Sequence, residues 1–305
     1  MNRRLPGTLT PRLGLLGTVV SVAVLATFPA TRAAAQSQPS PWEVGVSVGA
    51  GPQITGTYEH RFTPSLSGHS EATGFAGQDV RLRGGTGITL TASVTRSLSR
   101  RLALQFVLAA ARAPLAGPSS DYVWTLDYTS RQPPDYTPRP VEVTGSVAWP
   151  TTDGEMRRLA AAANLVVRYP LYERVSLAFS GGVSVQRLEG ELSPLGVTLF
   201  REGGHSTLSA ETYSVEVALR PAYVAGLDLG TEFAWQLSAR TSLSFELRYF
   251  AAPSTRLDAV VNRVVDNGGA VHPTTPSELN AVAPPHRVEF DPSFGAALLG
   301  IRYRI

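Results

Sequence analysis

Ionisable residues recur at even spacing along the last third of the chain. Glu216, Arg220, Asp228 and Glu232 share one parity within a long alternating run, Glu246 and Arg248 share one on the next, and Arg302 and Arg304 on the last. Residues two apart on a strand point to the same face, so these runs bring carboxylates and guanidiniums to one surface. Gln105, Arg168 and Glu43 are their neighbours if the strands follow one another in a meander. Such a surface has two uses. Its charges pair into an internal network, because a buried unpaired charge costs several kcal/mol, or they line a narrow polar path for ions and small solutes.

Other chemistry is poorly served. The five histidines, at 60, 69, 205, 272 and 286, fall in or beside segments read as loops. His69-Ser70 and His205-Ser206 place a base beside a hydroxyl, but a nucleophile needs a base within hydrogen-bond reach and a third group to orient it. Adjacency on a loop supplies neither. No His/Asp/Glu spacing matches a metal-ligand motif, and there is no cysteine. Arg83-Gly84-Gly85-Thr86-Gly87 is glycine-rich, yet no helix follows to cradle a phosphate. The expectation is no catalytic, metal or cofactor site.

The elements that must carry the charges are strands. Trp42, Val44, Val46 and Val48 alternate with polar or small residues, as do Ile88 to Val94, Leu102 to Leu108, Leu159 to Val167, Val175 to Val185, Val215 to Leu237 and Leu243 to Tyr249. The chain ends on Leu299-Gly300-Ile301-Arg302-Tyr303-Arg304-Ile305. Period-two alternation marks half-buried strands. Three short stretches between these runs repeat Leu-(Ser/Tyr)-x-Arg-x-(Ala/Ser)-Leu, with arginines at 101, 174 and 240. They read as tight turns, whereas the opposite connections are long. Eight strands with three short turns and four long loops result. The predicted fold is all-β: an eight-stranded antiparallel up-and-down transmembrane β-barrel with short periplasmic turns and long extracellular loops. A competing count of ten strands arises if the 121–149 segment crosses the membrane; an aromatic hairpin extending strands three and four beyond it is the preferred reading.

Composition agrees. Arg3, Arg4 and Arg12, the apolar run from Leu13 to Phe28 and Ala33-Ala34-Ala35 read as a cleaved export signal. The expected division is a signal peptide over 1–35 and a barrel domain over 36–305. The leader holds four arginines and no acid, so the whole chain's +3 becomes −1 without it. No nucleic-acid partner is implied. Every basic residue is arginine.

Export signal, eight alternating strands and terminal strand together resemble the small outer-membrane β-barrel superfamily, the OmpA-, OmpX- and OmpW-like barrels, as architecture. The resemblance implies an outer-membrane location, contact with outer-membrane lipid and lipopolysaccharide, and handling by the barrel assembly machinery. That machinery reads a final strand with alternating apolar residues, here Ile301, Tyr303 and Ile305, although Ile305 replaces the usual terminal aromatic. For eight strands the lumen is filled by side chains. The expected role is therefore structural or surface-interacting, non-enzymatic, with Glu216, Arg220, Asp228, Glu232, Glu246, Arg248 and Arg302 as the lumen network. The alternatives are a narrow channel or lateral conduit for small or hydrophobic molecules, and then a lipid-modifying enzyme. Arg101, Arg174 and Arg240 mark the periplasmic turns. Trp42, Tyr169, Tyr172, Trp235 and Tyr303 on one side, and Tyr213, Tyr249 and Phe250 on the other, suit two interfacial girdles. Tyr122, Trp124 and Tyr128 either pack a loop or present an edge to an extracellular partner.

Overall fold

The computed structural model describes residues 42–51, 55–64, 73–131, 138–202, 208–266, 272–282 and 286–305. The expected leader, His69-Ser70 and His205-Ser206 lie outside them. Fourteen strands appear among the described residues: β1 (Trp42–Gly51), β2 (Thr55–Phe62), β3 (Thr73–Gly84), β4 (Gly87–Ser97), β5 (Leu102–Gly117), β6 (Ser120–Arg131), β7 (Pro138–Trp149), β8 (Thr152–Tyr172), β9 (Val175–Glu202), β10 (Leu208–Gln236), β11 (Thr241–Ala251), β12 (Thr255–Asp266), β13 (His286–Asp291) and β14 (Phe294–Arg304). One short helix, α1 (Pro276–Val282), precedes β13. No described helix is long and apolar enough to cross a membrane, which says nothing of strands.

Fourteen differs from the expected eight for a local reason. Gly85-Thr86 separates β3 from β4, Ala252-Pro253-Ser254 interrupts β11 and β12, and Pro292-Ser293 interrupts β13 and β14. The last two breaks hold a proline, which has no N–H for the ladder, so pairing stops there and resumes. Segments expected as loops are also strand. β9 runs to Glu202 and β10 starts at Leu208, while β6 and β7 form a hairpin.

All pairings are antiparallel. On the side of the three turns, β1 pairs β4, β4 pairs β5, and the ladder continues through β8, β9, β10, β11 and β14 back to β1. That circuit has no free edge. On the opposite side β10 pairs β12, followed by β13, β2 and β3, which meets β5 at Arg83↔Ala116 and Gly84↔Leu115. The β6–β7 hairpin flanks this second storey through β3; it does not enter the first circuit, so it adds no ninth or tenth member there. Gly74 has φ 128°, and a Cβ there would lie 2.0 Å from Thr125 O, so glycine alone admits β6 at that distance.

The two storeys are patterned oppositely. On the turn side the outward face is apolar: Val46, Phe106, Leu165, Val183, Leu229, Phe245 and Ile301 are exposed, and every strand of the circuit contributes. The inward face there is polar or small, with Glu43, Thr91, Gln105, Asn164, Asp228 and Glu246 buried. In the loop-side storey the interior is apolar, built on Tyr58, Val80, Leu115, Leu192, Val217, Leu257, Phe290 and the α1 residue Leu279. Outward there stand Arg61, Asp79, Arg256 and Glu289, paired with one another across strands.

This inversion corrects the expectation for the longest run. Val215, Val217 and Leu219 are buried in the loop-side core and do not join Leu227, Leu229 and Phe233 on the apolar exterior. The β9–β10 register shifts between Leu219 and Ala222, at Arg220-Pro221. One irregularity there moves every following side chain to the other face.

Candidate functional site

The buried charges sit on the inner face of the turn-side circuit. Arg248, almost wholly buried, is paired with Asp228 and Glu246, its Nε donating to Glu246 Oε1 at 2.8 Å. Its Nη2 donates to Gln105 Oε1 at 3.2 Å, and Asn164 Nδ2 donates to Asp228 Oδ2 at 2.6 Å. These residues come from β5, β8, β10 and β11, four separate walls. Nearer the turns, Arg168 makes two bonds to the Glu43 carboxylate at 3.2 and 2.6 Å, and Arg304 reaches it at 3.3 Å. Arg302 pairs with Glu232. Two layers of ion pairs therefore cross the interior.

The predicted site residues divide accordingly. Asp228, Glu232, Glu246, Arg248 and Arg302 come together inside. Glu216 does not: it faces outward on the loop-side storey and pairs with Arg263 at 2.8 Å. Arg220 is exposed at the register shift. Both change face because the parity changes before Ala222.

Arg158 was missed. It shares the parity of Asn164 and Arg168, which was the available signal, and it is 3% exposed. Its guanidinium lies 4.1 Å above the Phe294 ring, and Phe294 stacks on Phe250 at 4.7 Å. Arg158 comes from β8 and Phe294 from β14, four ladder steps away in either direction. This layer separates the polar lumen from the apolar core above. Phe250 and Tyr213, expected at an outer girdle, are wholly buried. Trp42, Tyr169, Tyr172, Trp235, Tyr249 and Tyr303 remain outside.

The loop-side core holds a second polar group. His60 and His286 stack with centroids 3.9 Å apart, and the Tyr58 hydroxyl is hydrogen-bonded to His286 Nδ1. Burial drives the His60 imidazole well below its usual 6.5, with His286 adding to it, and pushes His286 down to about 4. Both rings are neutral near pH 7. Tyr122 and Tyr128 are buried in the same storey, and Trp124 packs edge-on against Phe200 at 6.2 Å. The Tyr122 and Tyr128 side chains are turned inward, while Trp124 is partly exposed. Among the described residues no group of three His, Asp or Glu could hold a metal.

The three repeats close adjacent strands, and backbone chemistry explains the first and third. Ser99 Oγ accepts from the N–H of Arg101 and Leu102 at 3.2 and 3.1 Å. Ser238 Oγ accepts from Arg240 and Thr241 at 3.2 and 3.1 Å. The arginine that recurs in all three uses its carbonyl: Arg101, Arg174 and Arg240 accept from Arg168, Gln236 and Arg304 at 2.8, 2.7 and 2.7 Å. At the chain's end Ile301, Tyr303 and Ile305 face outward, and the Ile305 N–H donates to Trp42 O at 3.1 Å.

In outline the chain is similar to small outer-membrane β-barrel proteins. One is OprG from Pseudomonas aeruginosa, 10% identical over 88% of this chain and 98% of that one, with a TM-score of 0.36. Another is the outer membrane protease OmpT from Escherichia coli, 8% identical over 89% and 99%, TM-score 0.43. A third is AlkL, 15% identical over 91% and 98%, TM-score 0.37. Likeness this slight transfers no role to this chain. No family model and no curated protein matches it.

Proposed function

We propose that the chain spans an outer membrane as an eight-stranded barrel formed by β1, β4, β5, β8, β9, β10, β11 and β14, with its interior plugged by ion pairs. The observation that carries this is the closed ladder whose outer face is apolar on every strand while the inner face buries charges. In water a continuous apolar belt of this kind is untenable, since exposed patches beyond a few hundred Å² mark contact surfaces. In lipid it is required, and the ladder has no edge because no backbone group there can be left unpaired. The belt also has the right height. On β10 it runs from Tyr223 to Trp235; twelve residue-to-residue rises of about 3.3 Å, tilted ~45°, give about 28 Å against the ~25 Å apolar band of such barrels.

The role we assign is non-enzymatic: a structural and surface-interacting barrel whose apolar-cored storey stands outside the membrane. Its partners are outer-membrane lipid and lipopolysaccharide, the assembly machinery during insertion, and a molecule met at the loop side. The β7 edge suits that contact, since among the described residues β7 pairs only with β6 and edges accept added strands. Folding in detergent followed by cold and boiled SDS gels tests the barrel: a mobility shift on boiling is expected, and unchanged mobility overturns it. Planar-bilayer recording tests the plug. Steady open-channel steps would replace it with the channel reading.

A further inference from the structure

We infer that the turn-side mouth is a binding site for a small multivalent oxyanion, of the phosphate-ester or pyrophosphate class. The turn arginines do not all end in backbone duties. Arg100, Arg174 and Arg240, one from each turn, line a single cavity of about 270 Å³ that opens at that end of the circuit. No carboxylate pairs with any of these three among the described residues, whereas Arg168 and Arg304 share Glu43 and Arg302 holds Glu232 in the same wall. In total six arginines face three carboxylates around the cavity. The excess is therefore positive, and it is concentrated in a concave mouth ringed by low-dielectric wall, where field lines are focused.

The residue type selects the ligand. A guanidinium offers a planar fork of donors that matches phosphate and carboxylate oxygens two at a time. Three forks lining one cavity, one from each turn, suit an anion with several oxygens and more than one charge. Placement selects the source. The cavity is lined by the inward-facing Ala178, Glu232 and Ala234 on the axis of the ladder, with Tyr172 and Val175 at its rim. A soluble anion enters along the axis, whereas a lipid headgroup would have to reach inward over the Tyr172 rim. The Ser238 and Ser99 hydrogen bonds hold two of the turns in shape without using the arginine side chains, which leaves those side chains available.

The test is titration of inorganic pyrophosphate into the folded, detergent-solubilised full chain at low ionic strength, followed by calorimetry and arginine Nε–H NMR signals. Saturable binding at one site is expected, weakening steeply with salt. The Arg174→Gln/Arg240→Gln variant should bind at least tenfold more weakly while keeping its boiling-dependent mobility. Arg256→Gln, on the loop-side exterior, should bind as the parent does. Three outcomes overturn the inference: no saturable binding, undiminished binding in the double variant, or binding confined to micelles doped with phosphatidylglycerol, which would move the site to the lipid surface. Loss of the mobility shift in the double variant would be met with Arg100→Gln alone, for which a several-fold loss is expected and parental affinity overturns the inference.

Discussion

Arg248 on β11 and Gln105 on β5 are hydrogen-bonded at 3.2 Å, although their strands are four ladder steps apart in both directions around the circuit. They stand on opposite walls. A contact between opposite walls closes the interior at that level, and the Arg158–Phe294 contact repeats the closure one layer toward the loops.

Removing Arg248 should therefore destabilise the molecule before it opens a path. Arg248→Ala leaves Asp228 and Glu246 buried with no guanidinium beside them. Breaking a buried pair in this way costs about 3–5 kcal/mol. The expected result is a lower temperature for the boiling-dependent gel shift; a midpoint equal to the parent's would show the network to be dispensable.

The parity change at Pro221 predicts opposite responses from positions that alternation alone would treat alike. Val217→Asp puts a carboxylate into the loop-side core and should be severely destabilising, whereas Glu216→Val changes a partly exposed, outward-facing side chain and should move stability by about 1 kcal/mol. Further along the strand the polarity of the effect reverses. Leu229→Arg faces lipid and should cost about 2–4 kcal/mol of insertion free energy. Urea titration of vesicle-inserted protein, with proteolysis of the loop-side storey, measures all three. A cost for Glu216→Val as large as that for Arg248→Ala would put Glu216 in the interior and refute the inversion.

The histidine stack predicts pH dependence in the loop-side storey. Both folded values lie below the ordinary 6.5, so the unfolded chain takes up protons first as pH falls. Stability is intact above about 6.5 and erodes as pH falls below it, down to about 4 for His286, by up to ~1.4 kcal/mol per pH unit for each histidine. His60→Phe removes one titrating ring whose two nitrogens have no hydrogen-bond partner. It should flatten the slope by about one histidine's share, read as protease resistance across pH 4–7. A slope unchanged by His60→Phe would assign the effect to other groups.

The turn serines should matter modestly. Ser99→Ala and Ser238→Ala each strip two backbone N–H groups of an acceptor at exposed sites, where water replaces much of the loss. About 1 kcal/mol each is expected, measured by the same urea titration. A loss above ~3 kcal/mol would mean the turns bear more than local strain.

Alternation by itself determined the local facts: strand against helix, the location of the three turns, and the shared parity of Glu246 with Arg248 and of Asp228 with Glu232. These depend on period two and on short-range turn chemistry, which neighbouring residues carry. Tertiary structure decided which face each run presents. Strand parity is only relative, and a single register shift at Arg220-Pro221 exchanges inside for outside, sending Glu216 to the surface and Val217 to the core. It also decided what meets across the interior. Arg158 with Phe294, Gln105 with Arg248 and His60 with His286 are separated by 136, 143 and 226 positions, and only closure of the ladder brings them within contact.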